Sequence, residues 1–167
     1  MRPLHAVKVG AIGLAFVAAG CAGARPSSDG GPATLKMTSS PSGQFLVDGG
    51  GHTLYVFDKD ERGESYCAGA CAAVWPPLET ESTPSASAGV ERSALGTIRR
   101  DDGDLQVTYH GRPLYYYAAD ASTPGKAKGE DVEQFGASWY LVDGAGKPIE
   151  PESGSNAPGS NNGGGGY

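Results

Sequence analysis

Residues 51–60 read GHTLYVFDKD and residues 111–120 read GRPLYYYAAD. Both fit the pattern G-x-x-L-Y-x-(F/Y)-x-x-D. Each is followed at a distance by a tryptophan, Trp75 in the first case and Trp139 in the second. Each is preceded by a short apolar run, Phe45-Leu46-Val47 and Leu105–Tyr109. Matches at Gly, Leu, Tyr, an aromatic and Asp, with a trailing Trp, mark a duplication of one unit. The repeats run over about residues 44–78 and 97–143.

The unit reads as a hairpin. Gln44–Asp48, the glycines 49–51 and Thr53–Phe57 give strand, turn and strand; Leu105–Tyr109, His110-Gly111 and Pro113–Tyr117 give the same. Asp101-Asp102-Gly103 is a further turn, between Thr97–Arg100 and Leu105. Ser138–Val142, residues 143–146 and Lys147–Glu150 make a last hairpin. Only Ser93–Leu95 and Val132–Phe135 are candidates for a helical turn. In Leu54-Tyr55-Val56-Phe57 and Leu114-Tyr115-Tyr116-Tyr117 both alternating faces are apolar or aromatic, so these strands should be covered on both sides. The expected fold is all-β, a small domain of two tandem hairpin-based repeats with short strands. The motif strands should lie side by side, with Trp75 and Trp139 buried against them.

Outside residues 35–150 the composition changes. Residues 22–34 and the tail 151–167 are dominated by Gly, Pro, Ser, Ala and Asn, without apolar periodicity. Such segments bury too little surface to offset chain entropy, and they read as a tether and a disordered tail. The formal charge of −6 argues against a nucleic-acid partner, and no Lys/Arg run suggests a membrane-surface patch.

Residues 1–20 carry Arg2 and Lys8, then an uncharged apolar stretch over 9–19, then Gly20 before Cys21. That is the layout of a secretory signal peptide. The apolar stretch is shorter than the ~20 residues a permanent membrane helix needs. Val17-Ala18-Ala19-Gly20-Cys21 resembles the bacterial lipobox, with alanine where leucine is usual three residues before the cysteine. The expectation is acylation (palmitate) at Cys21, and a chain held by lipid on the outer face of a plasma membrane or on an outer membrane.

LYVFDKD and LYYYAAD further resemble the Y-x-(F/W/Y)-x-x-D signature of bacterial lipoproteins described as a secreted repeat of unknown function. The resemblance extends through Ser65-Tyr66-Cys67, Cys71 and Trp75–Leu78, through Arg100–Gly103 and Gln106–Tyr115, to Gly129, Phe135-Gly136 and Trp139-Tyr140. It implies an envelope location and a repeat architecture, and it carries no reaction.

Once Cys21 is acylated, Cys67 and Cys71 are the remaining thiols, an even pair suited to a disulfide outside the cytoplasm. The alternative is a copper or electron-transfer site, in which Cys67 and Cys71 hold Cu(I) with His52 and His110, the histidines just before the two motifs. Asp60 and Asp120 end the motifs and are expected to accept backbone N–H bonds in turns. Tyr55, Phe57, Tyr115 and Tyr117 are expected in the core; exposed in a row, they would instead form a platform for a ring such as a cell-wall sugar. No G-x-S-x-G, H-E-x-x-H or P-loop is present. The expected function is a non-catalytic binding or structural module with no cofactor, whose partner, beyond the membrane itself, belongs to the cell wall or envelope.

Overall fold

The computed structural model describes residues 32–41, 43–87 and 89–150. The leader 1–20, Cys21, the tether as far as residue 31 and the tail 151–167 lie outside the described residues. The expected core boundary at residue 35 falls inside the first strand: Ala33 is buried and strand β1 spans Thr34–Ser40. It pairs antiparallel with β2, Gly43–Asp48, from Leu35↔Asp48 to Ser40↔Gly43. A two-residue strand, β4 (Ser85–Ala86), lies parallel to β1 on its other edge.

The first repeat's hairpin closes as expected and then opens. The Asp48 amide donates to the His52 carbonyl (2.9 Å) and the Leu54 amide to the Leu46 carbonyl (3.1 Å). Beyond Leu54 the second arm leaves β2. Tyr55–Phe57 (β3) pairs instead with β9, Ala137–Leu141, at the far end of the other repeat, with Phe57 opposite Trp139. The second repeat behaves the same way. Strands β5 (Leu95–Arg99) and β6 (Leu105–Tyr109) form a hairpin around the 101–103 turn, and β7 (Arg112–Pro113) adds to β6. The Leu114 amide donates to Val107, after which Tyr115 bridges to Pro77 and the Tyr116 amide donates to Pro76, near Trp75 of the first repeat. Each repeat therefore supplies the closing segment of the other. The two motif strands also meet directly: Tyr55 and Tyr115 exchange both backbone bonds, at 2.9 and 3.0 Å.

Covering on both sides holds residue by residue. Leu54, Val56, Leu114 and Tyr116 face one cluster with Leu35, Leu46, Leu78, Val107, Tyr109 and Val142. Tyr55, Phe57 and Tyr115 face a second with Phe45, Val47, Cys67, Cys71, Trp75, Trp139 and Leu141. Among the described residues the architecture is all-β, three small three-stranded sheets with one short α-helix, α1 (Ala70–Val74), and two 3-10 turns at Arg92–Ala94 and Ala118–Asp120.

One expected helical turn is real: Arg92–Ala94 is a 3-10 turn leading into β5. The other is not. Val132–Gln134 is strand β8, paired with β9, and Phe135-Gly136 forms the turn between them with φ of +57° and +90°. Two consecutive positive φ values match the twist of a tight hairpin, which the flanking strand pairing selects over a helical turn. The last expected hairpin is present in outline, through the Val142↔Pro148 bridge and the Ile149 amide donating to Leu141.

Candidate functional site

The exchange of closing segments brings six aromatic rings of the two repeats together. Tyr117, Trp75, Trp139 and Phe57 form one continuous pile, with centroid separations of 4.1, 3.9 and 4.2 Å and interplanar angles of 17°, 4° and 10°. Tyr55 meets Trp75 edge-on at 5.4 Å and Tyr115 meets Trp139 edge-on at 5.1 Å. Aligning Tyr55 with Tyr115 maps Phe57 onto Tyr117, and Trp75 corresponds to Trp139 once four extra residues of the second repeat are allowed for. The pile is thus approximately two-fold symmetric about a point between the two indoles. The expected core role of these rings holds: Tyr55, Tyr115, Trp75 and Trp139 are inaccessible, Phe57 nearly so, and only Tyr117 reaches the surface in part. No exposed sugar platform is built from them.

The phenol hydroxyls answer the aspartates crosswise. Tyr55 donates to Asp120 (2.7 Å) and Tyr115 donates to Asp60 (2.6 Å). The tyrosine of each motif therefore pairs with the aspartate of the other. Each aspartate also accepts a backbone N–H, from Tyr66 at Asp60 (2.7 Å) and from Lys128 at Asp120 (2.9 Å). The expected loop-bracing role of Asp60 and Asp120 is present; the phenol bond comes from the other repeat and was not expected. Burial holds the Tyr55 and Tyr115 phenols well above their ordinary pKa, reinforced in each case by the partner carboxylate. Burial also raises Asp60, partly offset by the bonds from Tyr115 and Tyr66 and by the charges of Arg100 and Arg112.

The two clasps differ in their surroundings. The Tyr115 hydroxyl also bonds Ser65 (2.7 Å), whose hydroxyl accepts from Arg100 Nη1 (3.0 Å). Arg100 is buried, and it donates further to Gln106 Oε1 (2.6 Å) and to the Cys67 carbonyl (2.7 Å). On the Tyr55 side the second partner is a backbone amide, Gly129 N–H, at 3.2 Å. Gln134 caps the indoles, accepting Trp75 Nε1 on its side chain (2.9 Å) and Trp139 Nε1 on its backbone (3.3 Å). Gln134 carries no sequence signal for its role, whereas Ser65 falls within the family resemblance. Arg100, Gln106 and Gly129 fall within it too.

Gly129 packs directly against the pile. A Cβ there would stand 2.8 Å from both Trp75 Cη2 and Tyr55 Cε1, and both rings are fixed by their neighbours. Its φ lies outside the left-handed region, so the constraint is steric. Gly129→Ala is expected to cost about 1–3 kcal/mol through overpacking. Chemical denaturation measures it, and a cost below a few tenths would show that the pile gives way.

Cys67 and Cys71 form a disulfide with a Cα separation of 5.2 Å, closed over the loop that enters α1. Both are buried in the cluster that holds Trp75. The structure does not bring His52 and His110 to them. His52 Nδ1 is bonded to Asp48 (2.9 Å), which also accepts the Tyr116 hydroxyl (3.0 Å). His110 lies against Tyr109, with Nε2 3.7 Å from Glu91. Among the described residues no group of three or more His, Cys, Asp and Glu side chains converges as a metal site would. No described helix is long and apolar enough to cross a membrane.

These features define a duplicated β-domain whose halves exchange closing segments around a shared aromatic pile. The sequence profile of a family described as a secreted repeat of unknown function matches residues 36–79 and again 96–148, more than half of the chain. The chain belongs to that family. No curated protein matches it, and no solved structure does.

Proposed function

We propose that the protein is a lipid-anchored module of the cell envelope, held by Cys21, which binds or braces an envelope or cell-wall partner and carries out no catalysis. One observation supports the non-catalytic reading above the others. The motif's polar side chains, Tyr55, Asp60, Tyr115 and Asp120, are turned inward and paired across the repeats. A site for turnover needs such groups facing a space where substrate sits; here they hold the halves together. The disulfide adds a brace suited to an oxidising compartment. Attachment is supported by the leader ending in Gly20-Cys21 and by the absence of a long apolar helix among the described residues.

Cys21→Ser in the full-length chain tests the anchor. The unmodified protein should incorporate labelled palmitate and sediment with membranes. The variant should take up no label and move to the soluble or secreted fraction, or persist only as the larger precursor. A variant of processed size that still sediments with membranes would refute lipid anchoring.

A further inference from the structure

We propose that the aromatic pile is a one-electron oxidation site, in which Tyr117 and the Trp75–Trp139 pair receive the hole and Tyr55 stores it as a neutral radical by passing its proton to Asp120. This goes beyond the binding or bracing role proposed above and does not depend on it.

Phenylalanine at positions 55 and 115 would fill the same space without burying a hydroxyl or drawing a carboxylate into the core, both of which are costly. The structure instead sets each phenol against a carboxylate at 2.6–2.7 Å and against the edge of an indole. That combination is what tyrosine oxidation at neutral pH needs. Losing an electron makes a phenol strongly acidic, so a carboxylate already bonded to the O–H must take the proton as the electron leaves. Two indoles stacked at 3.9 Å and 4° share a positive hole better than either alone.

The pile also has a direction. Tyr117 is its half-exposed end and stacks on Trp75 at 4.1 Å. Phe57, at the other end, is buried and is the hardest of the four rings to oxidise. A hole entering at Tyr117 therefore settles on the indole pair, and Tyr55 lies edge-on to Trp75. Tyr55 is the nearer of the two edge tyrosines to the point of entry: it meets Trp75, the indole that stacks on Tyr117, whereas Tyr115 meets Trp139, one ring further in. Its acceptor is already in place, since the Asp120 carboxylate takes the Tyr55 hydroxyl bond.

The steps balance. An external one-electron oxidant, of the class of a high-potential metal complex, takes one electron through Tyr117 from the indole pair and leaves a tryptophan radical cation. That cation takes one electron from Tyr55 as the Tyr55 hydroxyl proton moves to Asp120 Oδ2. The products are neutral tryptophan, a neutral tyrosyl radical and a protonated Asp120. A one-electron reductant, such as a thiol or an enediol, returns the electron, and Asp120 returns the proton.

The test is laser flash-quench of the full chain, disulfide intact, with a soluble ruthenium(III) polypyridyl complex generated in the flash. The broad visible absorption of a tryptophan radical should appear first and convert to the narrow near-ultraviolet band of a tyrosyl radical, more slowly in D2O. Tyr55→Phe should remove the tyrosyl band while the tryptophan band persists; Tyr115→Phe should leave it. Asp120→Asn should slow the conversion by about tenfold or more. Because these variants disturb the core, the unmodified protein supplies an independent reading: electron–nuclear double resonance of the trapped radical in H2O and D2O should show an exchangeable, hydrogen-bonded proton from Asp120, beside the one that the Gly129 amide donates. A tyrosyl band that survives Tyr55→Phe, a conversion indifferent to D2O, or a radical without that proton would overturn the proposal.

Discussion

Trp139→Ala is expected to lower stability by about 3–5 kcal/mol, the usual cost of truncating a large core aromatic. Trp139 is inaccessible and touches both halves: it stacks on Phe57 and Trp75, receives the Tyr115 ring edge-on and stands opposite Phe57 in the β3–β9 pairing. Removing its indole takes a ring from the middle of the pile, and the neighbours cannot close the gap because Trp75 and Phe57 are each fixed from the other side. A domain of this size loses roughly 4 °C of Tm per kcal/mol, which gives a fall of about 12–20 °C. The approximate two-fold makes Trp75→Ala an internal check, since Trp75 occupies the equivalent place between Tyr117 and Trp139. Calorimetry measures the loss. The near-ultraviolet circular dichroism of the stacked indoles should vanish in both single variants. Either variant melting within a few degrees of the parent would contradict the shared pile.

The crosswise clasp explains the spacing of the repeated signature. Tyr55 and Asp60 of one motif are not bonded to each other; each meets its counterpart from the other motif. The motif strand carries the tyrosine into the interface, and the turn after it brings the aspartate back to the edge of the same interface. With two copies related by an approximate two-fold, the offset within one motif places its aspartate on the other's tyrosine. A single repeat would leave a phenol and a carboxylate unpartnered, together with an open motif strand. The duplication is a structural requirement of the unit.

The duplication, the strand character of Tyr55–Phe57 and the burial of both tryptophans were legible because they rest on local pattern: alternation, turn residues, two-sided apolarity. Leu114–Tyr117 reads the same way but is not a strand: β7 ends at Pro113, and only Tyr115 is bridged, because its partners Tyr55 and Pro77 come from the other repeat. The exchange of closing segments was not legible. Each half of a tandem repeat can close on itself or on its neighbour with the same hydrophobic pattern, and that choice lies in contacts between residues far apart in the chain, such as Tyr116 with Pro76, Tyr115 with Asp60 and Tyr55 with Asp120. The same limit left the phenol bonds of Asp60 and Asp120 unread. His52 and His110 looked equivalent because each precedes a motif. Aligning the tyrosines instead places His52 opposite Arg112 and His110 opposite Gly50. Strand β1, TLKMTSS, lacks an aromatic and follows a tether-like run, so only its pairing with β2 reveals it. The turn at Phe135 has no signal of its own in the sequence, since a bulky residue rarely takes a positive φ, and here the β8–β9 hairpin imposes one.

The buried phenols give the second large effect, at high pH. Tyr55, Tyr115 and Tyr116 are buried, and each is bonded to a carboxylate: Asp120, Asp60 and Asp48. Burial first, and then the carboxylate, raises all three pKa values far above the ordinary value of 10.0. The sign follows directly. With folded pKa values above the unfolded ones, the contribution of these groups is fully present below pH ~10 and is lost as pH rises beyond it. There the unfolded chain releases three protons that the folded chain retains, so stability should fall by about 4 kcal/mol per pH unit, at ~1.4 for each phenol. A domain of ordinary stability, about 5–15 kcal/mol, then unfolds within roughly one to four units above pH 10. Following phenolate absorbance against pH should show two phases: exposed tyrosines such as Tyr66 ionising gradually, then the three carboxylate-bonded phenols appearing together as near-ultraviolet circular dichroism is lost. Tyr116→Phe should lower the slope by about a third while leaving the aromatic pile intact. All tyrosines ionising in a single gradual phase near pH 10, with the fold intact, would show that the phenols are not locked against the aspartates.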